Sequence, residues 1–163
     1  MNPKIVTKDP VHVVGIEYVG ENKNDEIKEM WGKFNSIMKT IPNQQIPMKA
    51  CYGVCYMLPE DSNPNIFHYI AGVQTTSLDN IPDGMKGVTI PAGKYAVFTH
   101  KGKLDTLHQT YDDIFQKRMP EMKLVPRSLP DIPFQNLDYE YYDERFMIDD
   151  DNSEFDICIA IKE

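Results

Sequence analysis

The sequence predicts an α+β fold: a duplicated βαββ repeat forming an antiparallel sheet, with two helices on one face and a ligand groove between the halves. Three observations carry this. Short runs rich in β-branched and aromatic residues alternate with period two, and the pattern switches to a helical period at two places. The order strand, helix, strand, strand occurs twice along the 163 residues. Each leading strand ends in a glycine just ahead of its helix, at Gly20 and again at Gly102. A chain of this length is one domain by size. Residues 1–163 are therefore expected to form a single unit, with 1–80 as the first half and 85–163 as the second.

The first half opens with Val11 to Tyr18, a β-branched and aromatic run, after a charged lead-in. From Asp25 the period changes. Ile27, Met30, Trp31, Phe34 and Ile37 fall on one helical face, with Lys28, Glu29, Lys33 and Asn35 opposite, and Pro42 and Pro47 stop the helix. Ala50 to Leu58 and Phe67 to Thr75 are strand-like, separated by the turn PEDSNPN. A linker, SLDNIPDGMKG, leads to the second half. Val88 to His100 holds the strand KYAVFTH, and a helix from about Leu104 presents Leu107, Tyr111, Ile114, Phe115 and Arg118 before Pro120. Leu137 to Asp143 and Phe155 to Ile161 complete the order, joined by the acidic turn IDDDNSE. Aligning the halves sets YGVCY at 52 to 56 against YEYYD at 139 to 143. Where the first half has Gly53, the second has Glu140.

Composition narrows the function. The net charge of −8, with no basic stripe, repels phosphate backbones, so direct nucleic-acid binding is not expected and a cationic ligand is favoured electrostatically. No apolar run reaches 18 residues and the lead-in has no secretory h-region, so neither a membrane span nor export is expected. Cys51, Cys55 and Cys158 form no even framework, which suits free thiols in the cytoplasm. His12, His68, His100 and His108 show no metal-ligand spacing, so no metal and no cofactor are expected. Nucleotide-binding glycine loops and the GxSxG elbow are absent. The run Asp149 to Asp151 lacks the glycine and distant glutamate of a calcium loop and reads as a solvated turn.

One residue stands out. Glu140 lies mid-strand in Tyr139-Glu140-Tyr141-Tyr142, a position that strand propensity disfavours for a carboxylate. Alternation puts Glu140 and Tyr142 on one face, Tyr139 and Tyr141 on the other. At the base of an aromatic cup, desolvation would raise its pKa and fit it to bind an organic cation or to act as an acid or base. The candidate walls are Trp31, Tyr52, Tyr56, Phe67, Tyr69, Tyr95, Phe98 and Tyr142. Nine methionines add adaptable apolar surface.

These segments resemble a known family. Ile90-Pro91-Ala92-Gly93-Lys94-Tyr95-Ala96-Val97-Phe98-Thr99-His100-Lys101-Gly102 looks like the IPAGxYAVFxHxG segment of GyrI-like small-molecule-binding domains. Tyr52-Gly53-Val54, Phe67 to Val73 and Tyr139-Glu140-Tyr141-Tyr142 are similar to three further stretches of that family, with Tyr139 where a phenylalanine is usual. The resemblance runs from about Lys4 to Ile161. It implies the duplicated fold and the effector-binding role that such domains play in AraC-type and MerR-type regulators. It also implies Glu140 as the carboxylate that meets lipophilic cations, with Tyr52 and Tyr69 at aromatic positions. No helix-turn-helix precedes the first strand, so operator binding is not expected. Three uses of the domain follow: binding of an amphipathic or cationic xenobiotic; hydrolysis of electrophilic cyclopropane-type toxins with Glu140 and Tyr142 as catalytic residues; or interaction with a protein partner, as in gyrase modulators, through the acidic run at 149 to 151.

Overall fold

Two-residue links shape the molecule. The computed structural model describes all 163 residues, as eight strands and two helical segments. The strands are β1 (Lys4–Lys8), β2 (Val11–Gly20), β3 (Cys51–Met57), β4 (Phe67–Thr75), β5 (Lys86–Ile90), β6 (Gly93–Lys101), β7 (Gln135–Tyr142) and β8 (Glu154–Ala160). All pair antiparallel in one sheet of order β1-β6-β8-β7-β3-β4-β2-β5. β1 and β2 are therefore consecutive in the chain but six strand positions apart in the sheet. In a flat sheet six positions span about 29 Å, whereas Lys8 and Val11 lie at most about 11 Å apart along the chain. The same holds for β5 and β6, joined by Pro91 and Ala92. The sheet must curl until its two ends approach each other.

The order is also symmetric. Each half contributes three strands in the arrangement β3-β4-β2 or β7-β8-β6, and the halves meet through β3 and β7. The register there pairs Tyr52 with Tyr141, Gly53 with Glu140 and Val54 with Tyr139. With 52 to 54 equivalent to 139 to 141, the pseudo-two-fold axis passes between Gly53 and Glu140. An exact repeat would set two like side chains face to face on that axis, and two glutamates would repel. A glycine opposite one glutamate removes the conflict and leaves a hole.

Curling gives the sheet an inner face that packs on itself. Val13, Tyr52, Val54, Tyr56, Ile70, Tyr95, Leu137, Tyr139 and Cys158 form this core. Both helices lie on the other face. α1 (Glu26–Ile37) buries Met30 and Phe34 against Val14, Tyr69, Ala71 and Val73. α2 (Leu107–Asp113) runs on through a π-helical stretch (Ile114–Arg118) and a last α turn (Met119–Glu121). Ile114 and Met119 pack on Ala96, Phe98, Phe155, Ile157 and Ile159.

The expected elements are present within a few residues, with three corrections. The charged lead-in holds β1, whose partner β6 lies in the other half. Val88 to His100 is two strands, because Pro91 offers no N–H to a ladder and the chain turns there. The second helix does not present Arg118 beside Ile114. The buried residues Ile114 and Met119 are five apart, a spacing that a π turn satisfies and an α turn does not, and Arg118 instead pairs with Asp113 at 3.0 Å. No helix is long and apolar enough to cross a membrane.

Candidate functional site

The site is built where the halves join. Glu140 on β7 points to the helical face and is 7% exposed. Its Oε2 accepts hydrogen bonds from the hydroxyls of Tyr142 and, at 3.3 Å, Tyr69 on β4. Oε1 accepts from the Tyr111 hydroxyl of α2 at 3.3 Å. Trp31 of α1 donates its indole N–H to the Tyr69 oxygen at 3.0 Å and stands edge-on to Tyr142, ring centres 5.5 Å apart. Tyr142 stacks on Phe155 at 4.5 Å. Both halves and both helices thus converge on one carboxylate.

Electrostatics make this arrangement unusual. None of the protein's ion pairs involves Glu140 or Asp138. Burial raises the Glu140 pKa above the ordinary carboxylate range, while the hydrogen bonds from Tyr142, Tyr69 and Tyr111 pull it back. Those phenols serve the ionised form, since a carboxylate accepts from all three. Buried charge is ordinarily paired. Here three phenol hydroxyls surround it, and no basic side chain pairs with it.

Gly53 makes the geometry possible. A Cβ at that position would lie 2.0 Å from the Tyr69 hydroxyl oxygen, so only glycine lets this phenol cross the ladder to Glu140. Gly53→Ala is expected to push the Tyr69 ring aside, break its bond with Trp31 and cost about 1–3 kcal/mol through overpacking. Trp31 is the sole tryptophan, so its emission in a urea titration reads both effects. Wild-type emission and midpoint would contradict the account.

Two residues before Glu140 on β7, at Asp138, the strand borders a cavity of about 420 Å³, lined also by Cys55, Met57, Asn65, Phe67 and Phe115. That volume is in the range of small-molecule sites. Phe67 enters from the first half and Phe115 from the π-helical stretch of the second. Phe115 lies parallel to Tyr111, centres 6.3 Å apart. Asp138 occupies the floor, two residues before Glu140 on the same strand face and 8% exposed. Burial, then the charge of Glu140, pushes its pKa up to about 8.

This shift carries a sign. Below pH 4 Asp138 holds a proton whether the chain is folded or unfolded. Between about 4 and 8 the unfolded chain loses that proton while the folded one keeps it, so its contribution to stability falls as pH rises through this window. Asp138→Asn is expected to become progressively more stable than wild type from pH 4 to pH 8, measured as the difference in melting temperature. A difference independent of pH would refute this.

Of the residues predicted from sequence, Trp31, Tyr69 and Tyr142 gather around Glu140, and Phe67 lines the cavity. The others are placed elsewhere. Tyr52 and Tyr56 on β3 and Tyr95 on β6 turn onto the inner face, away from Glu140. Their hydroxyls are occupied there: Tyr56 donates to Glu17 at 2.8 Å, Tyr95 to the Pro91 carbonyl at 2.6 Å and Tyr52 to Gln74 at 3.3 Å. Phe98 is on the helical face but packs in the core beneath the second helix. Tyr111, Phe115, Cys55 and Asp138 were not foreseen as site residues. The Asp138–Glu140 spacing of two was the legible signal, since it sets both carboxylates on one face. The acidic run 149 to 151 forms part of the turn between β7 and β8.

Comparison with known proteins bears on this geometry. Residues 1–162 match the family described as the GyrI-like small molecule binding domain. The transcriptional regulator BrlR of Pseudomonas aeruginosa is 34% identical over 162 residues, covering 99% of this chain and 56% of BrlR, so the chain spans little more than half of that relative's length. Among solved structures, SAV2435 bound to tetraphenylphosphonium superposes with a TM-score of 0.75 at 14% identity, over 99% of this chain and 94% of that one. The C-terminal domain of EcmrR gives 0.66 at 18% identity, over 100% and 99%. At these identities the structural likeness is one of fold.

Proposed function

The chain belongs to the GyrI-like small-molecule-binding family, and from that premise we propose that it binds lipophilic organic cations at Glu140. The observation that carries the reading is the buried carboxylate with aromatic walls, phenol donors and no basic partner, two residues along β7 from the 420 Å³ cavity. A soft organic cation suits such a site. It loses little hydration on entry, meets the ring faces of Trp31 and Tyr142, and supplies the missing charge. An inorganic cation would give up its water for phenols that are already donating. A related fold carries tetraphenylphosphonium in SAV2435, which makes that compound the natural first probe.

The test is a thermal shift. A ligand that binds only the native state stabilises it by about 2.7 kcal/mol at a hundredfold excess over Kd. For a chain of this size that corresponds to roughly 5–10 °C. Tetraphenylphosphonium is expected to give such a rise and a neutral compound of like size a much smaller one. Equal shifts for both, or none for any lipophilic cation, would overturn the reading. Tyr142 also lies against Glu140, as the hydrolytic alternative requires. Turnover of a cyclopropane-bearing electrophile, abolished by Glu140→Gln, would assign catalysis in place of stoichiometric binding.

A further inference from the structure

The cavity floor exposes a second carboxyl whose hydrogen bonding is not the same as that of Glu140. The Tyr111 hydroxyl lies 3.1 Å from Asp138 Oδ2 and 3.3 Å from Glu140 Oε1. A phenol carries one proton and donates to one acceptor at a time. With Glu140 ionised and served by three phenols, Tyr111 donates to Glu140. Its oxygen then faces Asp138 Oδ2 as an acceptor, and a bond there requires the proton to sit on Asp138. The Tyr111 hydroxyl is within donating reach of both carboxyls, and with the proton on Asp138 the order Asp138 O–H to Tyr111 O–H to Glu140 satisfies every group. If both carboxyls were ionised, two buried negative charges would share one phenol with no basic side chain paired to either, an arrangement in which one of the two holds a proton.

The groups facing Asp138 agree. α2 brings Tyr111 and β7 itself brings Glu140. β3 brings Cys55, paired in register with Asp138, and that thiol is held well above its usual pKa by burial and by the two carboxylates. Ile159 is its register partner on β8. No lysine, arginine or histidine is hydrogen-bonded or ion-paired to it. Burial and the charge of Glu140 push the Asp138 pKa up to about 8, against the opposing pull of the Tyr111 hydroxyl. Asp138 rather than Glu140 reaches the cavity wall, so it is the carboxyl a second ligand group meets.

We propose that Asp138 is a second, switchable cation subsite, which stays protonated in the empty pocket or beside a monocation and releases its proton when a dicationic ligand places a second positive centre against it. The exchange balances. The Asp138 O–H bond breaks, the proton passes to bulk water, and the carboxylate left behind pairs with the second charge. Two carboxylates then face two positive centres. A phenol bridges them, and their Cα atoms are about 6.7 Å apart along the strand, so compact dications are the class that fits. This inference rests on the cation-binding reading of Glu140.

Isothermal titration in two buffers of unlike ionisation enthalpy tests it, with methyl viologen as the dication and tetraphenylphosphonium as the monocation. Methyl viologen is expected to release close to one proton at pH 7, and its affinity to rise about tenfold per pH unit between pH 6 and 7.5. Tetraphenylphosphonium should release far less. Asp138→Asn should abolish the proton release and the pH slope, and weaken methyl viologen at least about tenfold, the scale of one lost charge-assisted contact. Methyl viologen binding without proton release, or not binding while tetraphenylphosphonium does, overturns the subsite alone. Failure of tetraphenylphosphonium to bind wild type overturns the Glu140 reading and this inference with it.

Discussion

Glu140→Gln is expected to fold like wild type and to weaken tetraphenylphosphonium by about 1–3 kcal/mol, between fivefold and more than a hundredfold in Kd. The substitution keeps the side chain's size and one carbonyl acceptor, and removes the charge. Folding should not suffer, because the wild-type carboxylate is already disfavoured by burial. A neutral amide relieves that cost, although its NH2 group must find an acceptor among Tyr69, Tyr142 and Tyr111, which now donate. Those hydroxyls rotate, so the cluster has a satisfied alternative. Binding should suffer, because the rings of Trp31 and Tyr142 attract a cation through their quadrupoles alone once the charge is gone. The pairing of outcomes is the test: a melting temperature at or above wild type, with a Kd at least several-fold weaker. Unchanged affinity would assign the pocket to ligands selected by shape and apolar surface. A large loss of stability would mean that the carboxylate organises the join between the halves.

How much of this was legible in the sequence follows from what period and propensity encode. Alternation along Tyr139 to Tyr142 set Glu140 and Tyr142 on one face, and the structure has them there. Aligning the halves placed Gly53 opposite Glu140, and the ladder pairs those two residues directly. Local pattern does not encode which strand a strand pairs with. β1, with the sequence KIVTK, has exposed charges that mark it as a surface segment. Its partner in the far half follows only from the curl, which the two-residue links impose. The same gap explains the tyrosines. Tyr52, Tyr56 and Tyr95 are as aromatic as Tyr69. Only the register between β3, β4 and β7 reveals that an even-numbered residue of β3 turns away from an even-numbered residue of β7. Tyr111 arrives from the second helix, whose orientation over the sheet depends on a π stretch that the apolar spacing of Ile114 and Met119 hints at but does not place.

Phe98→Ala is expected to cost about 3–5 kcal/mol, the largest effect on stability foreseen for a residue first named as a pocket wall. The side chain is fully buried, among Ala96, Ile114, Met119, Phe155, Ile157 and Ile159, in the core that seats the second helix. Truncation leaves a cavity that these neighbours fill poorly, because β6 and β8 are fixed by a ladder running from Tyr95 to Lys101. The site depends on that seat indirectly, since Tyr111 and Phe115 reach it from the same helical segment. If Phe98 is core, the variant that remains folded at low temperature should bind tetraphenylphosphonium within about threefold of wild type, less than the 1.4 kcal/mol of a tenfold change. If it is a wall, affinity and stability should fall together. The comparison with Trp31→Ala makes the distinction sharp. That residue touches Tyr69 and Tyr142 as well as Phe34, and its loss should weaken binding far beyond what Phe98→Ala does. A strong affinity loss in Phe98→Ala at full helical content would move the pocket under the second helix and away from the axis between Gly53 and Glu140.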